Sequence, residues 1–265
     1  MKTIVLHIGL HKTGTTSFQA VMHDWRDIFI ANGVDPYSTK RCRKYGRAKH
    51  GDIAFSCMRS GVLDNEQGEI LFNYNKDKKY EEVGQEIRGY IKNSKSDKLL
   101  FSAEAISLLR TSDEFLKLRK LFANDVIFHI IVCLREKSDW LKSYQVQHLK
   151  EGIDVSPFKS SAFYTKDDSW LLDHDGLVEE LNKHFEKVTV LNYEKNDMVG
   201  RLCGVLEVDL KINTQAYRRN RSPNNIKLSR LFRKSAKLLL GSEDVGLRKI
   251  LRGLLEKYKS KSGMK

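Results

Sequence analysis

The chain has 265 residues, of which 40% are hydrophobic and 31% charged, as expected for a soluble globular protein with one sizeable domain. Its longest apolar run, Val126–Leu134, is far shorter than the ~20 residues of a membrane-spanning helix, which excludes such a helix. The first strand begins almost at the N-terminus and leaves no room for a signal peptide. We therefore expect a cytoplasmic protein whose four scattered cysteines are reduced thiols rather than zinc ligands.

The net charge of +13 belongs mainly to the C-terminal region. Residues 218–265 contain 15 Lys and Arg against 3 Asp and Glu, whereas residues 1–217 contain 32 against 31. A basic region of this kind suits an anionic partner such as a nucleotide phosphate, an acidic glycan, a membrane surface or nucleic acid, and it equally fits the solvated face of two helices. We divide the chain into a main domain at 1–222 and a basic helical extension at 223–265 packed on it.

The N-terminal stretch TIVLHIGLHKTGTTSFQ predicts a strand, a glycine-bracketed loop and a helix. The β-branched apolar run Thr3–Ile8 predicts a buried strand, and the loop runs from Gly9 to Gly14. A helix begins at Thr15 and carries apolar residues at helical spacing, namely Phe18, Val21, Met22, Trp25, Ile28 and Phe29. The N–H groups of the loop and first helical turn, together with the helix dipole, suit an anionic phosphate.

Further along the chain, strands and helices alternate. The other predicted strands are Val34–Tyr37, Lys98–Ser102, Val126–Leu134 and Lys187–Tyr193. The predicted helices are 52–60, 79–94, 103–109, 111–122, 136–150, 171–185, 197–206, 226–240 and 245–258. The basic segment 38–51 is a candidate acceptor-binding loop. The alternation predicts an α/β fold, a three-layer parallel sheet of four or five strands flanked by helices, with ligands beyond the carboxyl ends of the strands.

Two of these strand ends carry polar residues with chemical potential. Arg135 follows Val126–Leu134, and Ser143 lies eight residues on, a little over two helical turns, and so on the same side of the helix as its start. An arginine fork and a hydroxyl in this arrangement suit a terminal phosphate, although a capping ion pair and an ordinary helical serine fit the same pattern. Glu104 follows Lys98–Ser102 as either a base or a carboxylate stabilised by the helix dipole.

The glycine-bracketed loop resembles a Walker A motif with one departure. Walker A places its lysine after the second glycine, whereas here Lys12 lies inside the loop and Thr15 follows Gly14 directly. This arrangement resembles the 5′-phosphosulfate loop of sulfotransferases that use 3′-phosphoadenosine 5′-phosphosulfate (PAPS), with His11 where that family usually has proline. The segment CLREKSDWLKSY resembles the 3′-phosphate motif of the same family. The resemblance covers the chain from Thr3 to about residue 222 and implies a fold related to that of P-loop kinases.

The resemblance also implies a set of ligand-binding residues. Those for PAPS and its product PAP are Gly9, His11, Lys12, Thr13, Gly14, Thr15, Thr16, Arg135, Ser143, Tyr193, Arg219 and Arg221. Tyr193 begins a tyrosine–glutamate pair like one near the adenine pocket of the family, and a core tyrosine fits this position equally well. Arg219 and Arg221 stand where relatives have a basic loop that closes on the 3′-phosphate, but they lack its lysine–glycine pattern.

The implied reaction moves a sulfuryl group from PAPS to a hydroxyl, or less readily an amine, of a carbohydrate or glycolipid-type acceptor. Attacking and leaving oxygens are roughly in line, as in phosphoryl transfer. Lys12 would neutralise the leaving oxygen, and a base would accept the proton of the acceptor. Glu104 is the first candidate for that base, because the histidine that some members carry at this strand end is absent; His11 and then His148 follow. No metal is implied.

Other classes of function stay open. A P-loop nucleotide or small-molecule kinase is opposed by the missing Walker lysine. A non-enzymatic protein could bind nucleic acid or an anionic membrane through the basic C-terminal helices, and a related protein could bind a nucleotide without turnover. For the leading interpretation we expect a carbohydrate-like or acidic acceptor and no nucleic acid, with peripheral contact to an anionic membrane left open.

Overall fold

A computed structural model of the chain describes residues 1–38, 50–64, 80–151, 153–195 and 197–211. The strands are β1 Lys2–Gly9, β2 Val34–Pro36, β3 Lys98–Ser102, β4 Val126–Leu134 and β5 Lys187–Asn192. The α-helices are α1 Thr15–Asp24, α2 Arg26–Ala31, α3 Gly51–Phe55, α4 Tyr80–Asn93, α5 Ser112–Lys120, α6 Lys137–Glu151, α7 His174–His184 and α8 Met198–Leu206. Short 3₁₀ helices occupy Glu104–Leu108 and Trp170–Leu172.

The five strands form one parallel sheet in the order β2-β3-β1-β4-β5, which confirms the predicted α/β fold. Central β1 pairs with β3, His7 lying opposite Ser102, and with β4, Gly9 lying opposite Cys133. The chain first builds the sheet on the β3 side of β1 and then crosses to β4 on the other side. Because ligands of such sheets bind where the strand order reverses, the carboxyl end of β1 is the expected position of a site.

Both faces of the sheet are covered, which explains why the strands are continuous apolar runs rather than alternating ones. On one face, Val5 and Ile131 belong to a buried cluster with residues of α1, α2 and α8, including Phe18, Phe29 and Leu202. On the other face, rings meet edge to face at successive centroid distances of 5.2, 5.3 and 5.4 Å, in the order Phe101, Phe122, Phe128 and Phe185. The two cores hold the strand ends in fixed relative positions.

The helix predicted to run from Thr15 past Phe29 is two helices, so that prediction was wrong. Trp25 lies between α1 and α2 with φ −116° and ψ 27°, outside helical geometry. Its N–H still donates to Val21 O over 2.9 Å, and its carbonyl accepts from Phe29 N over 3.2 Å. The apolar spacing therefore continues across a bend that periodicity alone does not reveal.

Three other predicted helices are shorter or of another type. The helix predicted at 103–109 is a 3₁₀ helix over Glu104–Leu108, and the helix predicted at 52–60 ends at Phe55. The helix predicted at 171–185 is replaced by a 3₁₀ turn and then α7. The division occurs at Asp173, whose carboxylate accepts from Gly176 N over 3.0 Å and caps the start of α7.

The chain groups into two compact units. The larger includes Met1–Tyr144 and, among the described residues, those from 156 to 211, so it contains the sheet. The described part of the smaller unit is 145–151 and 153–155, in which Ile153 N donates to His148 O over 3.0 Å. The predicted boundary at residue 222 and the helices predicted at 226–240 and 245–258 lie outside the described residues. Where the chain is described, no helix is long and apolar enough to cross a membrane.

Candidate active site at the carboxyl ends of the strands

The loop that follows β1 is a tight turn with two residues in the left-handed region. Lys12 has φ 71° and Gly14 has φ 87°. Thr13 donates twice to Leu10 O, from its backbone N over 3.2 Å and from Oγ1 over 2.6 Å. Leu10 N donates to Cys133 O over 3.1 Å, which ties the loop to the end of β4. Since positive φ is unfavourable for lysine, the strain at Lys12 is held by these bonds and the loop is shaped in advance.

Gly9 permits the side chains of the loop to fold beneath it. A Cβ at this position would collide with Thr15 Oγ1 and lie 2.8 Å from Thr13 Oγ1 and 3.3 Å from His7 Nε2. Any larger residue at position 9 would therefore displace the two threonines. The need for glycine here is one of close packing, whereas at Gly14 it is one of backbone angle.

Helix α1 begins directly after this loop, and its N-cap residue provides no side-chain cap. Gly14 occupies the N-cap position, and the first turn contains no acidic residue. Thr15 Oγ1 is buried and has no hydrogen-bond partner among the described residues. A helix start with an open dipole and a buried unsatisfied hydroxyl is complementary to a bound oxyanion.

Arg135 joins the ends of three strands. It follows β4, and its Nη1 donates to Lys12 O over 3.3 Å. Its guanidinium carbon lies 5.1 Å from the centre of the Tyr193 ring, beyond β5. Tyr193 N in turn donates to Leu134 O over 2.6 Å. The structure thus brings together Lys12, Arg135 and Tyr193, three of the residues predicted for the site.

The other predicted residues of this region take different positions. Ser143 is half-buried in α6, and neither Arg135 nor another described residue bonds its hydroxyl. His11 is 4% exposed, and its ring centre lies 5.3 Å from that of Tyr144. Thr13 is buried beneath the loop, whereas Thr16 is half-buried in the first turn of α1. The structure therefore does not join Ser143 to Arg135 directly.

Glu104 lies where the chain leaves β3, at the same edge of the sheet. Ala103 N donates to His7 O over 3.0 Å, which extends the β1–β3 pairing by one residue before the chain turns. Glu104 then begins the 3₁₀ helix, and its backbone carbonyl accepts from Ser107 Oγ over 2.7 Å. Its half-buried carboxylate has no hydrogen bond or ion pair with another described residue. It can therefore receive a proton without breaking an existing contact.

Sequence reasoning missed a buried polar network beneath the loop. His7 Nδ1 lies 2.8 Å from Ser102 Oγ, and His7 Nε2 lies 3.5 Å from Cys133 Sγ. Gln19 Nε2 donates to both Ser102 O and Ser102 Oγ over 3.3 Å. Burial lowers the pKa of His7 to about 3, so its ring is neutral. The sequence signals for this network were His7 inside an apolar strand and Gln19 on the apolar face of a helix.

His50 completes this network from the other side. Ser102 N donates to His50 Nδ1 over 2.9 Å, which leaves the ring proton on Nε2, 2.9 Å from Tyr37 O. Burial lowers the pKa of His50 to about 4, against weaker opposing contributions from Tyr37, Asp52 and Glu86. Ser102 at the end of β3 is thereby bonded to His7 of β1 and to His50. These bonds fix the point from which the chain continues to Glu104.

The remaining predicted residues lie outside the described part of the larger unit. Arg219 and Arg221 lie outside the described residues, as does most of the basic segment 38–51. His148, the third candidate for a base, lies in the smaller unit and is buried there.

Two kinds of chemical group meet at this edge of the sheet. Lys12, Arg135 and the start of α1 provide positive charge and N–H donors at the ends of β1 and β4. Glu104 provides a carboxylate at the end of the adjacent strand β3. Where the chain is described, an open helix start and a carboxylate without an ion-pair partner lie at the same edge of the sheet, an arrangement suited to group transfer with general-base assistance.

No protein-family model matches this chain, and no curated protein matches it. Among solved structures, the chain is similar to the crystal structure of a sulfotransferase from Alicyclobacillus acidocaldarius. The TM-score is 0.48 and the sequence identity 11%, and the similarity covers 95% of this chain and 96% of that chain.

Proposed function

We propose that this protein is a PAPS-dependent sulfotransferase that transfers a sulfuryl group to a hydroxyl of a carbohydrate-like acceptor. The observation that carries the proposal is the uncapped start of α1, where the buried Thr15 hydroxyl has no partner among the described residues beside the loop that Arg135 closes. This is a site for an oxyanion at the end of the central strand. The sequence motifs named above, which resemble those of sulfotransferases, support the phosphosulfate of PAPS as that anion.

The residues of this site fit such a donor. The start of α1 and the Thr15 hydroxyl would hold the 5′ end, with the Lys12 ammonium beside it. Arg135, already held by Lys12 O and stacked on Tyr193, would bind the 3′-phosphate, and Ser143 would add a hydroxyl from α6. When bound, PAPS supplies the sulfuryl group. A sulfuryl group carries less charge than a phosphoryl group, so Lys12 and the helix dipole can balance it without a metal.

Glu104 is the proposed base. Its carboxylate starts the 3₁₀ helix after β3, next to the strand that leads into the loop, and has no competing hydrogen bond or ion pair in the described part of the chain. His11 is the alternative, because it lies in the loop itself beside Lys12, although it is only 4% exposed. General-base assistance of this kind typically accelerates transfer by about 10²–10⁴-fold.

The test is turnover. The purified chain is incubated with PAPS and a panel of neutral and acidic saccharides, and release of PAP is measured with and without acceptor. We expect acceptor-dependent release that Lys12→Ala abolishes. Lys98→Ala is the matched control, because Lys98 begins β3 at the opposite edge of the sheet and pairs with Glu207 over 2.6 Å. Release unchanged in Lys12→Ala, or release from ATP instead of PAPS, would contradict the proposal.

A further inference from the structure

Arg110 is a half-buried arginine in the connection between the 3₁₀ helix and α5. Its Nη1 donates to the backbone carbonyl of Ser107 and, over 2.9 Å, to that of Leu109. The face of its guanidinium lies 4.9 Å from the centre of the Trp170 ring. One edge and one face of this group are thus fixed by the protein.

The opposite edge of Arg110 meets no hydrogen-bond partner in the part of the chain that the structure describes. Its Nε and Nη2 are buried and bond nothing in the described residues. These two N–H groups point in parallel from the same edge of the planar guanidinium, which is the fork that binds both oxygens of a carboxylate or sulfate. Burial, with a smaller effect of nearby Arg59, lowers the pKa of Arg110 to about 10, so the group is a cation at neutral pH.

The nearest acidic residues are engaged elsewhere. Glu114 accepts from Arg59 Nη1 over 2.8 Å, from Arg59 N over 2.7 Å and from Arg110 N over 2.8 Å. Thr111 adds two further donors to the same carboxylate. Asp173 accepts from Gly176 N at the start of α7. Among the described residues, neither carboxylate is hydrogen-bonded to the side chain of Arg110, and their charges raise its pKa less than burial lowers it.

Among the described residues, Trp140 and His174 have unmet polar groups as well. Trp140 Nε1 and His174 Nε2 are buried without a partner in the described part of the chain, and their rings meet edge to face at 6.4 Å. Arg110 is among the charges that lower the pKa of His174, after burial and Lys137. Because buried polar groups are nearly always hydrogen-bonded, these unmet donors and acceptors are complementary to a polar ligand.

Ring contacts connect this cluster to the proposed active site. Trp140 stacks on Tyr144 at 4.8 Å, and Tyr144 lies 5.3 Å from His11 of the loop after β1. Arg110 itself follows Glu104 by six residues, and Ser107, which bonds the carbonyl of Glu104, accepts from Arg110. Aromatic walls with a few convergent polar groups are typical of small-molecule sites.

We propose that the Nε–Nη2 edge of Arg110, beside Trp140 and His174, binds a carboxylate or sulfate group of the acceptor, which makes the acceptor an acidic saccharide. The proposal rests on the proposed sulfotransferase function, since it names the acceptor class of that site. Arg110 then holds the charged group of the saccharide, and the indole and imidazole of its neighbours bond further oxygens.

The experiment measures saccharide binding to the full chain saturated with PAP, so that the nucleotide site is filled. The probes are glucuronate, glucose 6-sulfate and neutral glucose at constant ionic strength, titrated by calorimetry. Arg110→Lys keeps the charge but removes the fork. Arg59→Lys is the matched control, because Arg59 lies 5.0 Å from the same Trp170 ring but is occupied by Glu114.

We expect both anionic saccharides to bind at least about tenfold more tightly than glucose, and Arg110→Lys to remove most of that preference. Arg59→Lys should keep it. The preferred probe tells whether the group recognised is a carboxylate or a sulfate. Equal affinity for all three probes, or an equal effect of the two substitutions, would overturn the proposal.

Two arms keep this test decisive. If Arg110→Lys does not fold, Trp140→Phe removes Nε1 while keeping an aromatic ring, and unchanged affinity for both anionic probes in that variant would overturn the proposal. The PAP titration that precedes the saccharides is read separately. Binding of PAP without anionic preference would refute only the acceptor site, whereas anionic preference without binding of PAP would support the Arg110 site and refute the sulfotransferase function.

Discussion

Arg135 donates to the backbone carbonyl of Lys12 over 3.3 Å, although the two residues follow different strands. The same guanidinium stacks on Tyr193 at 5.1 Å. One arginine therefore links the loop after β1, the end of β4 and the end of β5. Its position couples the shape of the loop to the pocket proposed for the 3′-phosphate.

Replacement of this arginine tests the coupling. Arg135→Lys keeps a positive charge but loses the planar fork and the stacking surface. We expect PAP affinity to fall by about 1.5–3 kcal/mol, with little change for adenosine 5′-phosphate, which lacks the 3′ group. Calorimetry with both nucleotides measures this. Arg201→Lys is the control, because Arg201 is paired with Glu194 over 2.6 Å. An equal loss of affinity for both nucleotides in Arg135→Lys would assign Arg135 a purely structural role.

Alanine substitution at Gly9 of the loop and at Gly89 of a helix should have opposite effects on the free energy of unfolding. Gly9→Ala places a Cβ against Thr15 Oγ1 and Thr13 Oγ1, so we expect a loss of stability of about 1–3 kcal/mol and of nucleotide binding. Gly89→Ala lies in α4 with open space around the new Cβ and should stabilise the protein by up to about 1 kcal/mol. Urea unfolding of the two variants measures the difference, and equal stabilities would show that the loop yields to the added methyl group.

Lys12 combines strain with a proposed chemical role, and two substitutions separate them. Lys12→Ala and Lys12→Gly both remove the ammonium and should both abolish turnover. Because φ is 71°, the glycine variant should be more stable than the alanine variant by about 1–2 kcal/mol. Turnover and thermal unfolding are measured on both. Activity in either variant would remove Lys12 from the chemical step.

Glu104→Gln tests the base. The substitution keeps size and hydrogen-bonding capacity but cannot accept the acceptor proton, so kcat should fall about 10²–10⁴-fold while PAP affinity is unchanged. Steady-state kinetics and calorimetry provide the two readings. His11→Gln is measured alongside, and a large loss of kcat there with normal turnover in Glu104→Gln would move the base to His11.

The buried histidines predict how stability depends on pH. Burial lowers the pKa of His7 to about 3 and that of His50 to about 4, from 6.5. The unfolded chain therefore binds more protons below 6.5, so the stability is complete above that pH and falls as the pH decreases toward the folded values. At about pH 5.5 each histidine lowers the free energy of unfolding by about 1.4 kcal/mol. Urea unfolding at several pH values measures the slope.

Substitution assigns that slope to a residue. His50→Gln should flatten the pH dependence relative to the unsubstituted protein. The slope is compared rather than the stability itself, because removing His50 also removes its bonds to Ser102 and Tyr37. The same slope in His50→Gln and in the unsubstituted protein would show that folding does not lower the pKa of His50.

Local pattern was enough to predict the sheet. The bounds of β3 and β4 are those predicted, because each apolar run is flanked by charged or polar residues that stop it. The loop was recognised from its two glycines. The bend at Trp25 was not, since apolar spacing continues through it.

The side-chain contacts of the site could not be predicted in the same way. His7 meets Ser102 across 95 residues of sequence, through a strand register that only the folded sheet defines. Arg110 meets Trp170 through the packing of an irregular segment, with no periodic pattern to indicate it. Residue type predicted what each strand end could do, whereas contacts between distant elements decided which of them meet.

The most direct test of the central claim is calorimetric binding of PAP to the full chain, compared with ADP and with ATP–magnesium at moderate salt. A sulfotransferase site requires strong preference for PAP without added metal, accompanied by a rise in the melting temperature of the protein. Preference for ATP–magnesium would indicate a kinase. Absence of binding to all three nucleotides would contradict the nucleotide site itself and return the loop after β1 to a purely structural role.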